Sequence, residues 1–118
     1  MANIVKALSL NAYQELASKT AIYPGQGSFM GLCYCALKLN GEAGEVAEVV
    51  GKTWRDSNGE MKPEIRLALA MELGDVLWYI ANLSKEIGYP LADIAVMNLE
   101  KLKSRKERGT LSGSGDNR

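Results

Sequence analysis

The sequence contains no histidine and only two cysteines among its 118 residues. Without histidine the chain cannot form a Ser-His-Asp triad, and it lacks both the usual general base and the commonest ligand of catalytic zinc. Two cysteines are too few for a disulfide framework, so we expect a reducing cytoplasm. Any chemistry must therefore rely on carboxylates, lysines, arginines and a metal ion if one is bound.

The sequence also lacks long hydrophobic runs and an excess of charge of either sign. Its apolar runs are too short to span a membrane, and its first 20 residues show no signal-peptide pattern. The 14 basic and 14 acidic residues cancel, which argues against nucleic-acid binding because a broad basic face would be needed. No membrane or nucleic-acid partner is expected.

The charges are nevertheless distributed unevenly along the chain. Residues 1–97 contain 8 basic and 11 acidic side chains, whereas residues 98–118 contain 6 basic and 3 acidic ones. A basic end that faces an acidic body suits a phosphorylated ligand bridged by a metal ion. The alternative is a charged helix end that is simply solvated.

Turn signals divide the chain into four segments in which apolar residues recur every 3.6 positions. The predicted helices cover about residues 3–20, 28–54, 63–87 and 91–108. We therefore predict a single all-α domain over residues 1–108, resembling a four-helix bundle. A Gly/Ser-rich C-terminal tail follows at residues 109–118, and its composition predicts a mobile segment. Because it follows a basic stretch, one hypothesis is that it closes over bound ligand as a lid, and a terminus with no role is the alternative.

The third predicted helix is apolar on two opposite sides. One side carries a stripe that includes Ile65 and Val76, and the other carries Leu67, Leu77 and Trp78. A helix that is apolar nearly all round is usually buried, and one four-helix chain can hardly cover both sides. We therefore expect a homo-oligomer, a dimer or a tetramer, that completes the fold.

Two predicted helices each place a pair of carboxylates at i, i+3 spacing. Glu42 and Glu45 lie on the second helix, and Glu72 and Asp75 lie on the third. Glu42 and Glu72 fall within the apolar stripes, whereas solvated acids would lie on the polar faces, as Glu48 does. Ordinary amphipathic helices with acids at their rims are the alternative interpretation.

Four converging carboxylates require a cation because two such charges about 4 Å apart repel by roughly 4 kcal/mol even at an effective dielectric of 20. No lysine or arginine lies at the centre of either stripe. With only hard oxygen ligands present, the expected ion is Mg²⁺, with Mn²⁺ also suitable. The four carboxylates are therefore predicted to be metal ligands.

Polar side chains on the third and fourth helices are predicted to contact a nucleotide. Asn98, Lys101 and Arg105 share one face of the fourth helix, where the two cations suit phosphate oxygens. Polar residues on a helix that extends past the core are the alternative. Tyr79 lies four residues after Asp75, within reach of a base or sugar.

Three stretches of the chain resemble the MazG-type nucleoside triphosphate pyrophosphohydrolases, within the all-α NTP pyrophosphatase superfamily. They are NGEAGEVAEVVGK, MELGDVLWYIANL and NLEKLKSRKERG, and the resemblance as a whole covers roughly residues 28–108. The resemblance implies Mg²⁺-dependent hydrolysis of a (deoxy)nucleoside triphosphate to the monophosphate and pyrophosphate. It also implies a dimer, or a tetramer built from two dimers, of a small single-domain bacterial or phage-type protein.

The shared pattern is E-x-x-E on one helix and E-x-x-D on the next. It implies that Glu42, Glu45, Glu72 and Asp75 bind the metal and that Lys101 and Arg105 face the phosphates. Glu45, at the rim of its stripe, is the predicted catalytic base, because no histidine is present to accept a proton from water. Phosphoribosyl-ATP pyrophosphohydrolysis and a non-catalytic helical metal-binding or interaction module are the alternative functions.

Overall fold

A computed structural model describes residues 8–118, and over that range the chain forms four α-helices and no strand. In chain order these are α1 (Leu10–Ser18), α2 (Phe29–Ser57), α3 (Pro63–Glu86) and α4 (Leu91–Glu107). The prediction of an all-α protein with four helices is confirmed. Across this described range, none of the helices combines the length and apolar character needed to cross a membrane.

The helix ends differ from the predicted ones for local reasons. Residues 3–7 of the first predicted helix lie outside the described residues. α1 begins only at Leu10, because the Ser9 side chain caps it by accepting a hydrogen bond from the Ala12 N–H at 3.0 Å. α2 continues to Ser57, beyond the predicted end at 54. It ends where Asn58 adopts a left-handed conformation with φ of 51°.

α2 and α3 pack along each other, joined by the short segment 58–62. α1 lies against α3 and α4, but no Cα atom of α2 comes within 8 Å of α1 or α4 in the described chain. Among the described helices, α4 therefore packs against α1 and α3. The carboxylate-bearing helices form one part of the molecule, and the basic helix forms another.

Side chains of α1 cap the first turn of α4. The N-cap residue of α4 is Pro90, which has no polar side chain to satisfy the free N–H groups of the helix. Gln14 Oε1 instead accepts from the Leu91 N–H at 2.9 Å, and Asn11 Oδ1 accepts from the Ala92 N–H at 2.8 Å. These two contacts fix where α4 starts and help to set its direction.

A small buried cluster joins α1, α3 and α4. It consists of Ala17, Ala81 and Leu91, with Tyr13, Trp78 and Ile80 packed around it. Trp78 was expected on the second apolar side of the third helix, which a partner subunit would cover, and Ala81 lies beside it on that helix. α1 covers them within the same chain instead, because it packs across this part of α3.

The rest of that second side is open in the described chain. Leu67 is 65% exposed and Met71 is 67% exposed, while Leu77 is also exposed. On α2, the large apolar side chains of Leu37 and Trp54 are likewise exposed. Apolar surface therefore remains uncovered on both long helices.

Candidate functional site

Three of the four predicted metal ligands lie close together between α2 and α3. Glu42, Glu72 and Asp75 each offer one carboxylate oxygen, and these oxygens all lie within 4.8 Å of one another. Glu42 and Glu72 are half-buried and Asp75 is exposed. Glu45, the predicted fourth ligand and catalytic base, is exposed and lies outside this three-residue group.

The packing of the long helices produces this cluster. Cys35 and Thr53, which are buried, lie on the same side of α2 as Glu42 at helical spacing. Ile65 and Val76, which are half-buried, mark the side of α3 that contains Glu72. The two facing sides therefore bring a carboxylate from each helix into the seam.

The electrostatics of the cluster are those of uncompensated like charges. Partial burial raises the pKa of Glu72, and the negative charges of Asp75, Glu45 and Glu42 raise it further, in that order. The groups that act on Glu72 thus include Glu45, which places that carboxylate near the cluster. All of these groups are acids, and no lysine or arginine is among them.

The donor set fits a hard divalent cation. It consists of carboxylate oxygens from two helices that the fold holds in place, with like charges that a cation would neutralise. Such sites suit Mg²⁺ or Mn²⁺ better than zinc or copper, which favour nitrogen and sulfur ligands. Cys35 is the nearest buried thiol on α2, and it lies seven residues before Glu42.

An open pocket of about 320 Å³ adjoins the carboxylates, lined by Glu42, Asp75, Trp78 and Tyr79. The rings of Trp78 and Tyr79 meet edge to face, with centroids 4.8 Å apart. Burial is the largest cause of the raised pKa of the Tyr79 hydroxyl, and the neighbouring Tyr34 and Glu42 raise this pKa further. The predicted contact residue Tyr79 therefore lies beside the acidic cluster.

Further aromatic side chains support this wall of the pocket. Tyr23 stacks on Tyr34 at a centroid distance of 5.6 Å, and it meets Trp78 edge to face at 6.5 Å. The indole Nε1 of Trp78 donates a hydrogen bond to Thr20 Oγ1 at 2.9 Å. Trp78 was not predicted as a site residue, although it follows Asp75 by three positions, the same spacing that pairs the acids.

The predicted phosphate-contacting residues lie elsewhere in the chain. Asn98 and Lys101 line a different pocket with Tyr89 and three apolar side chains. Arg105 is only 4% exposed, and its guanidinium contacts the 109–118 segment. The pocket beside the carboxylates is lined by no residue of α4, and neither Lys101 nor Arg105 is among the charges that act on Glu72. Within the described chain, these three residues therefore lie apart from the carboxylates.

The arrangement of the helices and the acidic cluster together define an all-helical protein with a candidate carboxylate metal centre. The sequence model of the MazG nucleotide pyrophosphohydrolase domain matches residues 34–110, which include every predicted site residue. The chain belongs to this MazG family, whose name and activity support a hydrolase that acts on nucleotides.

A curated phage protein is similar over nearly the whole chain. The Gene 37 protein of Mycobacterium phage L5 is 48% identical over 114 residues, which cover 94% of this chain and all of the relative. The name of that protein describes no activity. No solved structure matches the chain.

Proposed function

We propose that the protein hydrolyses (deoxy)nucleoside triphosphates to the monophosphate and pyrophosphate in a Mg²⁺-dependent reaction. The observation that carries this proposal is the convergence of Glu42, Glu72 and Asp75, for which residues 8–118 offer no ion pair, in a chain of the MazG family. A divalent ion held by these residues would neutralise triphosphate oxygens and lower the pKa of a water molecule.

The remaining residues have roles that their positions support. Glu45 is exposed at the edge of the cluster, where it can accept a proton from the attacking water. Tyr79 forms part of the pocket wall beside Glu42, where it can contact the base or sugar. Lys101 and Arg105 bind phosphate oxygens, with Asn98 beside them on α4.

We further propose that these residues reach the carboxylates through a homo-oligomer. The chain exposes 8554 Å², whereas a compact monomer of 12.8 kDa exposes roughly 6300 Å². The difference exceeds the roughly 800 Å² per partner that a stable interface buries. The open apolar surface of α3, with Leu67 and Met71, supports an interface there, and a second copy can supply α4 in trans.

Product analysis tests the reaction. The purified protein is incubated with a panel of NTPs and dNTPs, with Mg²⁺ or with a chelator, and pyrophosphate and orthophosphate are measured separately. With Mg²⁺ we expect release of one pyrophosphate per nucleotide consumed, and with the chelator we expect no turnover. Release of orthophosphate from the nucleotide would indicate a different hydrolase, and the absence of turnover across the panel would favour a binding module. Phosphoribosyl-ATP is included as a further substrate.

A further inference from the structure

The 109–118 segment, called the tail below, is tied to the basic face of α4. Arg105 Nη2 donates to the backbone oxygens of Gly115 at 3.3 Å and Asp116 at 3.0 Å, and to the Asp116 carboxylate at 3.3 Å. Lys101 Nζ lies 3.3 Å from the same carboxylate oxygen. One carboxylate of the tail therefore contacts both cations to which the proposed function assigns phosphate oxygens.

The tail also holds its own shape. The guanidinium of Arg118 donates to the backbone oxygens of Thr110 at 3.2 Å, Leu111 at 3.2 Å and Gly115 at 2.6 Å. Arg108 Nη2 donates to the backbone oxygen of Arg118 at 2.8 Å. The composition predicts a mobile tail, but these contacts close it into a loop that presents Asp116 to α4.

The two sides of this contact differ in burial. The Arg105 side chain is 5% exposed, whereas the Asp116 side chain is 84% exposed. Buried Arg105 Nε has no hydrogen-bond partner within residues 8–118. The cation is therefore fixed in place with an unused donor, while the carboxylate opposite is accessible to solvent and easily displaced. A triphosphate, with more charge and more oxygens, is the stronger ligand for such a pair.

We propose that the tail is an intrasteric competitor of the substrate. Asp116 occupies the position at Lys101 and Arg105 that a phosphate group takes, so the nucleotide must displace the tail to bind. This inference rests on the proposed function, which assigns those cations to the phosphates. It reverses the role of a lid, because loss of the tail contact then improves substrate binding.

Binding of inorganic triphosphate to the full-length chain tests this competition without turnover. Calorimetry in the presence of a chelator compares wild type with Asp116→Asn. The substitution is at an exposed side chain and removes the negative charge that contacts Lys101 and Arg105. We expect about two- to fivefold tighter binding, the range that an exposed ion pair contributes. A second variant that ends after Leu111 removes Asp116 altogether and is expected to show the same gain.

Two controls separate the competition from general charge effects. Glu100→Gln removes one negative charge, as Asp116→Asn does, but on α4. Glu100 is exposed, and residues 8–118 offer it no ion pair. This variant should bind triphosphate with the wild-type affinity. Lys101→Met should weaken triphosphate binding. Unchanged affinity for Asp116→Asn and the shortened chain, with weakened binding for Lys101→Met, would overturn the competition and leave the phosphate site intact. Unchanged affinity for all three would overturn the phosphate site itself.

Discussion

The acidic cluster of α2 and α3 and the basic face of α4 differ in how the chain balances their charges. Glu42, Glu72 and Asp75 face one another, and only acids act on Glu72. Lys101 and Arg105 both contact an anion that the chain itself provides, Asp116. The acidic region therefore has no counter-charge of its own among the described residues, whereas the basic region already holds an internal anion.

The fold explains why the acidic region cannot relax as the basic one does. Glu42 and Glu72 project from two long helices that pack along each other, so the carboxylates stay together at the cost of mutual repulsion. Asp116 lies outside the helices and its side chain is 84% exposed, so its contact with the two cations is open to displacement. A rigid group of like charges suits a metal, and a displaceable contact suits competition with substrate.

The largest effect is expected in the acidic region. Glu42→Gln and Glu72→Gln should each lower kcat by about 1000-fold or more, since several kcal/mol of charge stabilisation depends on the bound ion. The melting temperature of the metal-free protein should stay the same or rise, because a repelling charge is removed. Glu48→Gln, on the opposite face of α2, is the matched control. A kcat within a few-fold of wild type for either variant would remove the metal role.

A charge on the open side of α3 should disrupt the proposed homo-oligomer, in which a second copy brings the basic face to the acidic cluster. Met71→Glu places a carboxylate on a 67% exposed apolar position, where burial in an interface would cost several kcal/mol. Light scattering after size exclusion should show a smaller species than wild type. Lys19→Glu, an exposed residue after α1, controls for added negative charge. An unchanged mass for Met71→Glu would place the interface elsewhere.

In the basic region, we expect a change in KM rather than in kcat. Lys101→Met should raise KM for a nucleoside triphosphate by about tenfold, because one charge-assisted contact to phosphate is lost. Lys103→Met is the control, since Lys103 pairs only with Glu107, at 3.9 Å on the exposed surface. Steady-state kinetics of both variants measure the difference. A loss confined to kcat would contradict a role in ground-state phosphate binding.

The smallest expected effect is the pH dependence of stability, which should have opposite signs in the two regions. The folded state raises the pKa of Glu72 above its ordinary 4.5, so it binds that proton more tightly than the unfolded chain does. The free energy of unfolding of the metal-free protein should therefore fall as pH rises from that ordinary value through the raised pKa. Chemical denaturation at several pH values should show this decline, and Mg²⁺ should offset it.

Asp116 provides the opposite case. Lys101, followed by Arg105, lowers the pKa of Asp116 below its ordinary 3.8, so its stabilising contribution is present above that value and is lost as pH falls through the lowered pKa. Glu72→Gln should abolish the decline above pH 4.5 but leave the acid-side loss intact. An identical pH profile for Glu72→Gln and wild type would contradict the account of the acidic cluster.

Local sequence patterns were sufficient to predict the helices and the acidic cluster. Helical spacing places Glu42 and Glu72 among apolar neighbours, and both are half-buried where α2 packs on α3. The hydrophobic stripe determines which side of each helix faces inward, and acids within that stripe are therefore placed between the helices. Helix ends were less accurate, because caps such as Ser9 and Asn58 depend on single backbone conformations.

The position of α4 depends on contacts that no local pattern contains. Asn11 and Gln14 cap it from 81 and 77 residues away in the sequence. The same holds for Trp78, which packs against α1 and donates a hydrogen bond to Thr20 just after that helix. The tail contact likewise joins residues in a segment whose composition predicts mobility. Such long-range, polar contacts are set by tertiary packing, so spacing along the chain could not predict them.

Direct measurement of metal binding tests the central claim. Mn²⁺ is titrated into the metal-free protein, and the free ion is followed by its electron paramagnetic resonance signal. We predict saturable binding to wild type and Glu48→Gln, and at least tenfold weaker binding to Glu42→Gln and Glu72→Gln, since each loses a carboxylate ligand. Equal Mn²⁺ affinity in all four proteins would contradict a metal centre between α2 and α3.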